Sequence, residues 1–303
     1  MRAGPAEAPE GPPAPAVAAK AEAEPSGASA SVAVGQAVEI VYYTDPLCCW
    51  SWAFEPQWRR LRYEYGGQLA WRYRMAGMIA GWDGYGYADP LNAISRPAQM
   101  GPLWMQARHL SGMPIDDRIW VEAPPASSYP ACLAVKAAEL QSPVAAERLL
   151  RRLREAVMAE RRNVARPEVI LAVAGELAAD QADRFDAERF RRDLAGRAAL
   201  DALREDIKEL RYLGIGRFPT LTLRRADGPG IIIVGYRPYD ALLAALARVA
   251  PDLQPARRAA GRADYEAYWG RSTARELDEA LGGSTAEGTG ASLAGSCAAP
   301  AGE

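Results

Sequence analysis

Thr44-Asp45-Pro46-Leu47-Cys48-Cys49-Trp50-Ser51-Trp52 is the stretch whose reading decides the fold. Ahead of it, residues 37–43 (A-V-E-I-V-Y-Y) are β-branched and aromatic, the composition of a strand. Behind it, residues 50–65 (W-S-W-A-F-E-P-Q-W-R-R-L-R-Y-E-Y) read as a helix stopped by Gly66-Gly67. Cys48 therefore sits where a strand turns into the first turn of a helix. Free N–H groups and the helix dipole favour an anion there, so a thiol gives up its proton more readily. Thiolate is the reactive form of cysteine. Most lone cysteines are small apolar core residues. Position and the flanking tryptophans make Cys48 a candidate nucleophile instead.

Working outward, residues 69–75 alternate Leu69, Trp71, Tyr73 and Met75 with small or charged residues, a half-buried strand. The order β-α-β predicts a parallel pair with a right-handed crossover. Residues 77–97 form a long glycine- and aromatic-rich loop, which either walls a groove or caps an apolar surface. From residue 127 to 213 the period becomes helical, with stripes such as Leu149, Leu153 and Val157 that read as core packing. After Gly214-Ile215-Gly216-Arg217-Phe218-Pro219, residues 220–223 and 231–234 are short strands joined by a turn-rich link, a predicted antiparallel hairpin. An amphipathic helix over 237–249 follows, and residues 264–281 read as one final helix. The sum is an α/β thioredoxin fold carrying an inserted helical domain.

The expected divisions are a disordered tail (1–35), a thioredoxin-like domain in two pieces (36–100 and 214–250) and an inserted helical domain (101–213). A C-terminal helical extension (251–281) and a disordered tail (282–303) complete the chain. Both tails lack the apolar surface that offsets ordering entropy. Cys297 lies in the second tail, and no role is assigned to it.

Over 303 residues the net charge is −2, giving no bulk attraction to nucleic acid or to an anionic membrane. The arginines interleave with Glu and Asp, as in residues 148–162, a pattern that reads as a solvated helix face. No run of about 18 apolar residues is present, so no membrane span is expected. The N-terminus lacks the apolar core of a secretory signal, and a cytoplasmic protein is expected. Four cysteines (Cys48, Cys49, Cys132, Cys297) do not make a disulfide scaffold and lack zinc spacing. The single histidine, His109, reads as a helix-surface residue, so no metal site and no histidine-based triad are expected.

D-P-L-C-x-W-x-W-x-F-E-P (residues 45–56) resembles the active-site segment of DsbA-family thioredoxin-like proteins, in particular the cytoplasmic FrnE and YjbH/SpxH types. S-S-Y-P-A-C-L-A-V-K-A-A (residues 127–138) resembles the opening of that group's helical domain, and G-I-G-R-F-P-T-L (residues 214–221) its cis-proline loop. The resemblance implies that Cys48 is the attacking cysteine and Pro219 the cis-proline. It also implies that Phe218 presents its backbone to a substrate chain, with Trp50 alongside. Ser51 falls where most members carry the resolving cysteine. A serine hydroxyl is not ionised at neutral pH and cannot release a mixed disulfide, although it can hydrogen-bond the Cys48 thiolate. Cys132 is the candidate resolving thiol if the helical block folds over the site, and a buried cysteine without redox role otherwise.

The leading expectation is a thiol-disulfide oxidoreductase or isomerase working through one thiol, redox-active and cytoplasmic. It would have no tightly bound cofactor, glutathione as a co-substrate, and protein or peptide thiols and disulfides as partners. Loss of the resolving cysteine equally suits a non-catalytic adaptor of the SpxH/YjbH type that binds a regulator protein. A kappa-type glutathione-dependent isomerase or transferase has a related fold, but that class uses serine where this chain has Cys48.

Overall fold

The computed structural model describes residues 38–83, 94–181, 183–226, 228–282 and 297–298. Strand β1 (Val38–Thr44) is buried along nearly its whole length, as its unbroken run of branched and aromatic residues requires of a central strand. It leads into α1 (Cys49–Ala53) and α2 (Glu55–Glu64), where one helix was expected; Phe54 caps the first and opens the second. Strand β2 (Leu69–Met75) pairs parallel to β1 in the register Val38↔Leu69 to Thr44↔Met75. Its buried Tyr73 and Met75 alternate with more exposed arginines, as the sequence pattern predicts.

Helices then follow: α3 (Met100–Ser111), α4 (Ile119–Glu122), α5 (Tyr129–Glu139), α6 (Pro143–Met158), α7 (Pro167–Asp180), α8 (Ala187–Ala195) and α9 (Arg197–Tyr212). Strands β3 (Arg217–Phe218), β4 (Thr220–Arg225) and β5 (Ile231–Val234) restore the sheet, with α10 (Tyr239–Val249) after them. Strand β4 runs antiparallel to β1 and to β5, giving the order β2-β1-β4-β5 among the described residues. The hairpin and the parallel pair match expectation, and the fold is thioredoxin-like with DsbA-type helical insertion. His109 is exposed on α3, as expected.

The inserted helices are fastened to the sheet by charge. Asp206 of α9 is buried, accepts the Met75 N–H at 2.9 Å, and pairs with Lys136 of α5 at 3.0 Å and Arg74 of β2 at 2.8 Å. Rings of Phe54, Trp58 and Tyr73 surround the Tyr42 ring at centroid distances of 6.1, 5.2 and 5.5 Å, welding β1 to the active helix. In the 77–97 loop, Trp82 packs edge-on to Trp120 and donates to the Pro125 carbonyl at 2.9 Å, so this part caps an apolar surface. Residues 84–93 lie outside the described residues.

The C-terminal extension is two helices, α11 (Arg262–Trp269) and α12 (Ala274–Leu281), where one was expected. Gly270, at φ 76° and ψ −158°, takes a positive-φ conformation open to glycine that breaks the helix. Thr273 and Glu276 close a capping box on α12. Glu276 also reaches Arg59 of α2 at 2.6 Å and Arg151 of α6 at 3.0 Å, all largely buried. The expected tails, 1–35 and 282–303, fall outside the described residues except for Gly282 and a two-residue strand, β6 (Cys297–Ala298). That strand pairs with β3, although the sequence reading placed Cys297 in a disordered tail.

Burial pushes the Glu276 carboxyl up, but Arg151, Arg59 and the Thr273 N–H more than offset this and hold it at about 2. A depressed folded value stabilises the fold at pH above the unfolded carboxylate range, and the gain is lost as pH falls from there towards 2. Acid unfolding should therefore weaken α12 docking below pH about 4.3. Glu276→Gln should flatten that dependence and lower stability at pH 7 by about 3 kcal/mol, because two buried arginines lose their counter-charge. Urea melts across this pH range check both.

Candidate active site

The end of β1 and the start of α1 are held by one carboxylate. Asp45, fully buried, accepts the Leu47 N–H on Oδ1 at 2.9 Å, which tightens the Asp-Pro-Leu turn. Its Oδ2 accepts from the Met78 N–H at 2.7 Å, the Ser128 hydroxyl at 2.9 Å and the Cys132 thiol at 3.3 Å. One side chain thus ties the active turn to the exit of β2 and to the start of α5. The motif quoted above contains Asp45, but its role is visible only once the distant donors converge on it.

Cys48 is the N-cap of α1, and its Sγ accepts the Ser51 N–H at 3.3 Å. The sulfur takes the place of the capping oxygen that usually satisfies a first-turn amide. Across a gap, Cys48 Sγ donates to the Phe218 carbonyl at 3.6 Å. The Phe218–Pro219 bond is cis. The site therefore brings together Cys48, Ser51, Phe218 and Pro219 from segments some 170 residues apart. Cys48 itself is 0% exposed.

Ser51 reaches the sulfur through its backbone amide, while its hydroxyl accepts from Thr44 Oγ1 at 2.8 Å. Thr44 in turn accepts from Arg154 of α6, whose guanidinium also pairs with Glu55. Arg154 is fully buried. Burial pushes it down, but the neighbouring Tyr42, Glu55, Tyr73 and Cys48 outweigh this and keep the guanidinium charged. A fixed cation beside a sulfur favours thiolate over thiol. The sequence assigned the arginine-rich 148–162 segment to solvent, and the structure corrects this for Arg154 and largely for Arg151. The available signal was spacing: Arg154 stands four residues after Leu150 and three before Val157, inside the apolar stripe.

The remaining candidates have other partners. Cys49 donates to the Leu103 carbonyl of α3 at 4.0 Å. Trp50 is 1% exposed, with its ring 6.2 Å from that of Tyr236. Cys132 is buried; desolvation, then the Asp45 charge, raises its thiol well above the ordinary value. A thiol kept protonated in this way is not the attacking form. Among the described residues no cluster of His, Cys, Asp or Glu has the arrangement to hold a metal ion. None of the helices described is long and apolar enough to cross a membrane.

Arg154→Met should leave Glu55 buried and unpaired and lower stability by about 3–5 kcal/mol. Adding Glu55→Gln should recover part of the loss without restoring the rate of Cys48 alkylation. Chemical denaturation paired with iodoacetamide kinetics separates the two effects.

The family profile described as Thioredoxin matches residues 42–244. The ClpXP adapter protein SpxH of Halalkalibacterium halodurans is 34% identical over 204 residues, covering 67% of this chain. The chain spans 64% of the length of that relative, less than two thirds. A putative protein disulfide isomerase from Nitrosomonas europaea has a similar fold, with TM-score 0.57 and 22% identity over 70% of this chain and 97% of the other. The cytosolic disulfide reductase DsbM from Pseudomonas aeruginosa gives TM-score 0.53 and 24% identity over 70% and 100% of the two chains. Its structure with GSH gives 0.51 and 22% over 69% and 99%. The profile match over two thirds of the chain settles the family, and the solved structures agree in fold: the chain belongs to the thioredoxin family and has a DsbA-like fold.

Proposed function

We propose that this protein performs thiol-disulfide exchange through one nucleophilic sulfur, Cys48, and acts on protein or peptide disulfides and glutathione adducts. The observation that carries this is the position of Cys48 Sγ, between the Ser51 N–H and the Phe218 carbonyl that precedes cis-Pro219. The amide and the nearby Arg154 stabilise negative sulfur. The Phe218 backbone gives an extended substrate chain a place to dock. The thiolate attacks one sulfur of R–S–S–R′, forms Cys48–S–S–R and expels R′–S⁻. An external thiolate then attacks the adduct, returns Cys48 to its thiolate and carries R away as a new disulfide. No electrons are gained or lost overall, which is the balance of an isomerase or a deglutathionylating enzyme. Glutathione is the natural external thiol, and DsbM, a protein of the same fold, has been solved with GSH. Such a supply of thiol is found in the cytoplasm, the compartment this reading supposes.

A second reading is supported by the SpxH relative, a ClpXP adapter. In it the backbone edge beside Phe218 and cis-Pro219 holds a regulator protein, and Cys48 does not turn over. Ser51 supports this reading, since a pure binder has no use for a resolving thiol.

The wild type should exchange with a glutathionylated peptide, and Cys48→Ser should abolish exchange. Cys48 alkylation should reach its plateau at lower pH than that of a free thiol, near pH 8.5. Ser51→Cys should form an internal disulfide and gain dithiothreitol-supported insulin reduction, because residues three apart share a helix face. A wild type that exchanges with nothing, beside a Ser51→Cys variant that still forms its disulfide, would establish the adaptor.

A further inference from the structure

A cleft of about 770 Å³ opens between the inserted helices and the C-terminal extension, bounded by the ends of α3 and α6, by α11 and by the start of α12. Small-molecule sites have volumes of about 300–1,000 Å³. The lining concentrates positive charge: Arg108 and His109 of α3, Arg262 of α11, Arg271 of the α11–α12 link and Arg275 of α12. Glu155 of α6 is the one carboxylate among the described lining residues. In a chain of net charge −2 this excess is local.

Two of the arginines are already held. Arg262 Nε donates to Glu266 at 2.9 Å, and Arg275 donates from Nε to the Ser111 carbonyl at 3.0 Å and from Nη2 to Glu279 at 2.7 Å. Arg108 and Arg271 are exposed, and among the described residues no carboxylate pairs with either. Two guanidiniums lacking a counter-charge thus share one concave surface, brought there by α3 and by the link before α12. The walls are fixed without a ligand. Thr273 Oγ1 donates to Met113 Sδ at 3.5 Å, and the Pro114 carbonyl accepts from Trp52 Nε1 at 2.9 Å. A site shaped in advance loses less freedom when it binds.

We propose that this cleft binds a small multivalent phosphate, its oxygens held by Arg108 and Arg271 and its negative field met by Arg262 and Arg275. The guanidinium fork matches phosphate oxygens in bidentate geometry, and four such forks against one carboxylate call for a polyanion. The inference is independent of the reading of Cys48, because Cys48, Ser51, Phe218 and Pro219 are not part of the lining. Three of the four arginines lie beyond residue 244, where the family match ends. The site is therefore a property of the extension and not of the thioredoxin-like body.

The test is isothermal titration calorimetry of the full chain with inorganic pyrophosphate at near-neutral pH and constant ionic strength. Saturable binding of one pyrophosphate per chain is expected. Arg108→Gln and Arg271→Gln should each weaken it about tenfold, the loss of one charge-assisted hydrogen bond. Both side chains are exposed, so neither substitution disturbs the core. Glu155→Gln removes the opposing charge and should tighten binding. Arg191→Gln, on α8 and outside the lining, should leave the affinity unchanged. An equal loss in Arg191→Gln would reduce the binding to bulk electrostatics and overturn the site. So would a titration that never saturates, or wild-type affinity retained in Arg108→Gln and Arg271→Gln. Citrate, a polycarboxylate, is the comparison anion: tighter binding of citrate than of pyrophosphate would overturn the assignment to phosphate.

Discussion

Everything near the Cys48 sulfur depends on the buried carboxylate of Asp45. It is taken out of water and gathers two backbone N–H groups, a hydroxyl and a thiol within 3.3 Å. An unpaired buried carboxylate is costly, so these donors are constraints and not ornaments. Through them the turn that carries Cys48 is fixed to the sheet on one side and to the inserted helices on the other. Cys132, the thiol that first invites a redox role, is one of the donors. Burial first, and then the second negative charge its thiolate would set against Asp45, keep it protonated.

A second network lies on the other side of the turn. Arg154 crosses from α6 to Glu55 and Thr44, and Thr44 donates to Ser51. The inserted helices therefore bring a positive charge beneath the active turn as well as covering the fold. The C-terminal extension repeats the device: Glu276 of α12 draws Arg59 and Arg151 together behind α2. Helix α2, which follows α1 directly, is braced by buried ion pairs whose partners come from remote segments. Breaking either would leave a bare charge, so α2 is coupled to the inserted helices and to the C-terminal extension.

The strands and their pairing were legible because each has a local signature, and the cis-proline loop through its resemblance to the DsbA-type segment. Residues 38–44 are unbroken β-branched and aromatic, residues 69–75 alternate, and the 226–230 link is rich in turn residues. The capping position of Cys48 was legible for the same reason, as strand, turn and helix announce it. Arg154 and Asp45 were not, because their roles exist only where segments 33 to 110 residues apart meet. The break at Phe54 and the split of the last helix at Gly270 are backbone choices too small to disturb a hydrophobic period. Strand β6 was hidden most completely: two small residues in a glycine- and alanine-rich tail carry no strand signal. Only the edge offered by β3 gives them a place.

The central claim is that Cys48 is a working nucleophile and not a relic in a binding groove. The most direct test is the second-order rate constant for its reaction with a glutathionylated peptide at pH 7, followed by intact-mass spectrometry. Free glutathione with the same peptide is the reference. The account predicts a faster reaction for the protein, with the adduct forming at Cys48. A rate at or below that of free glutathione would contradict it.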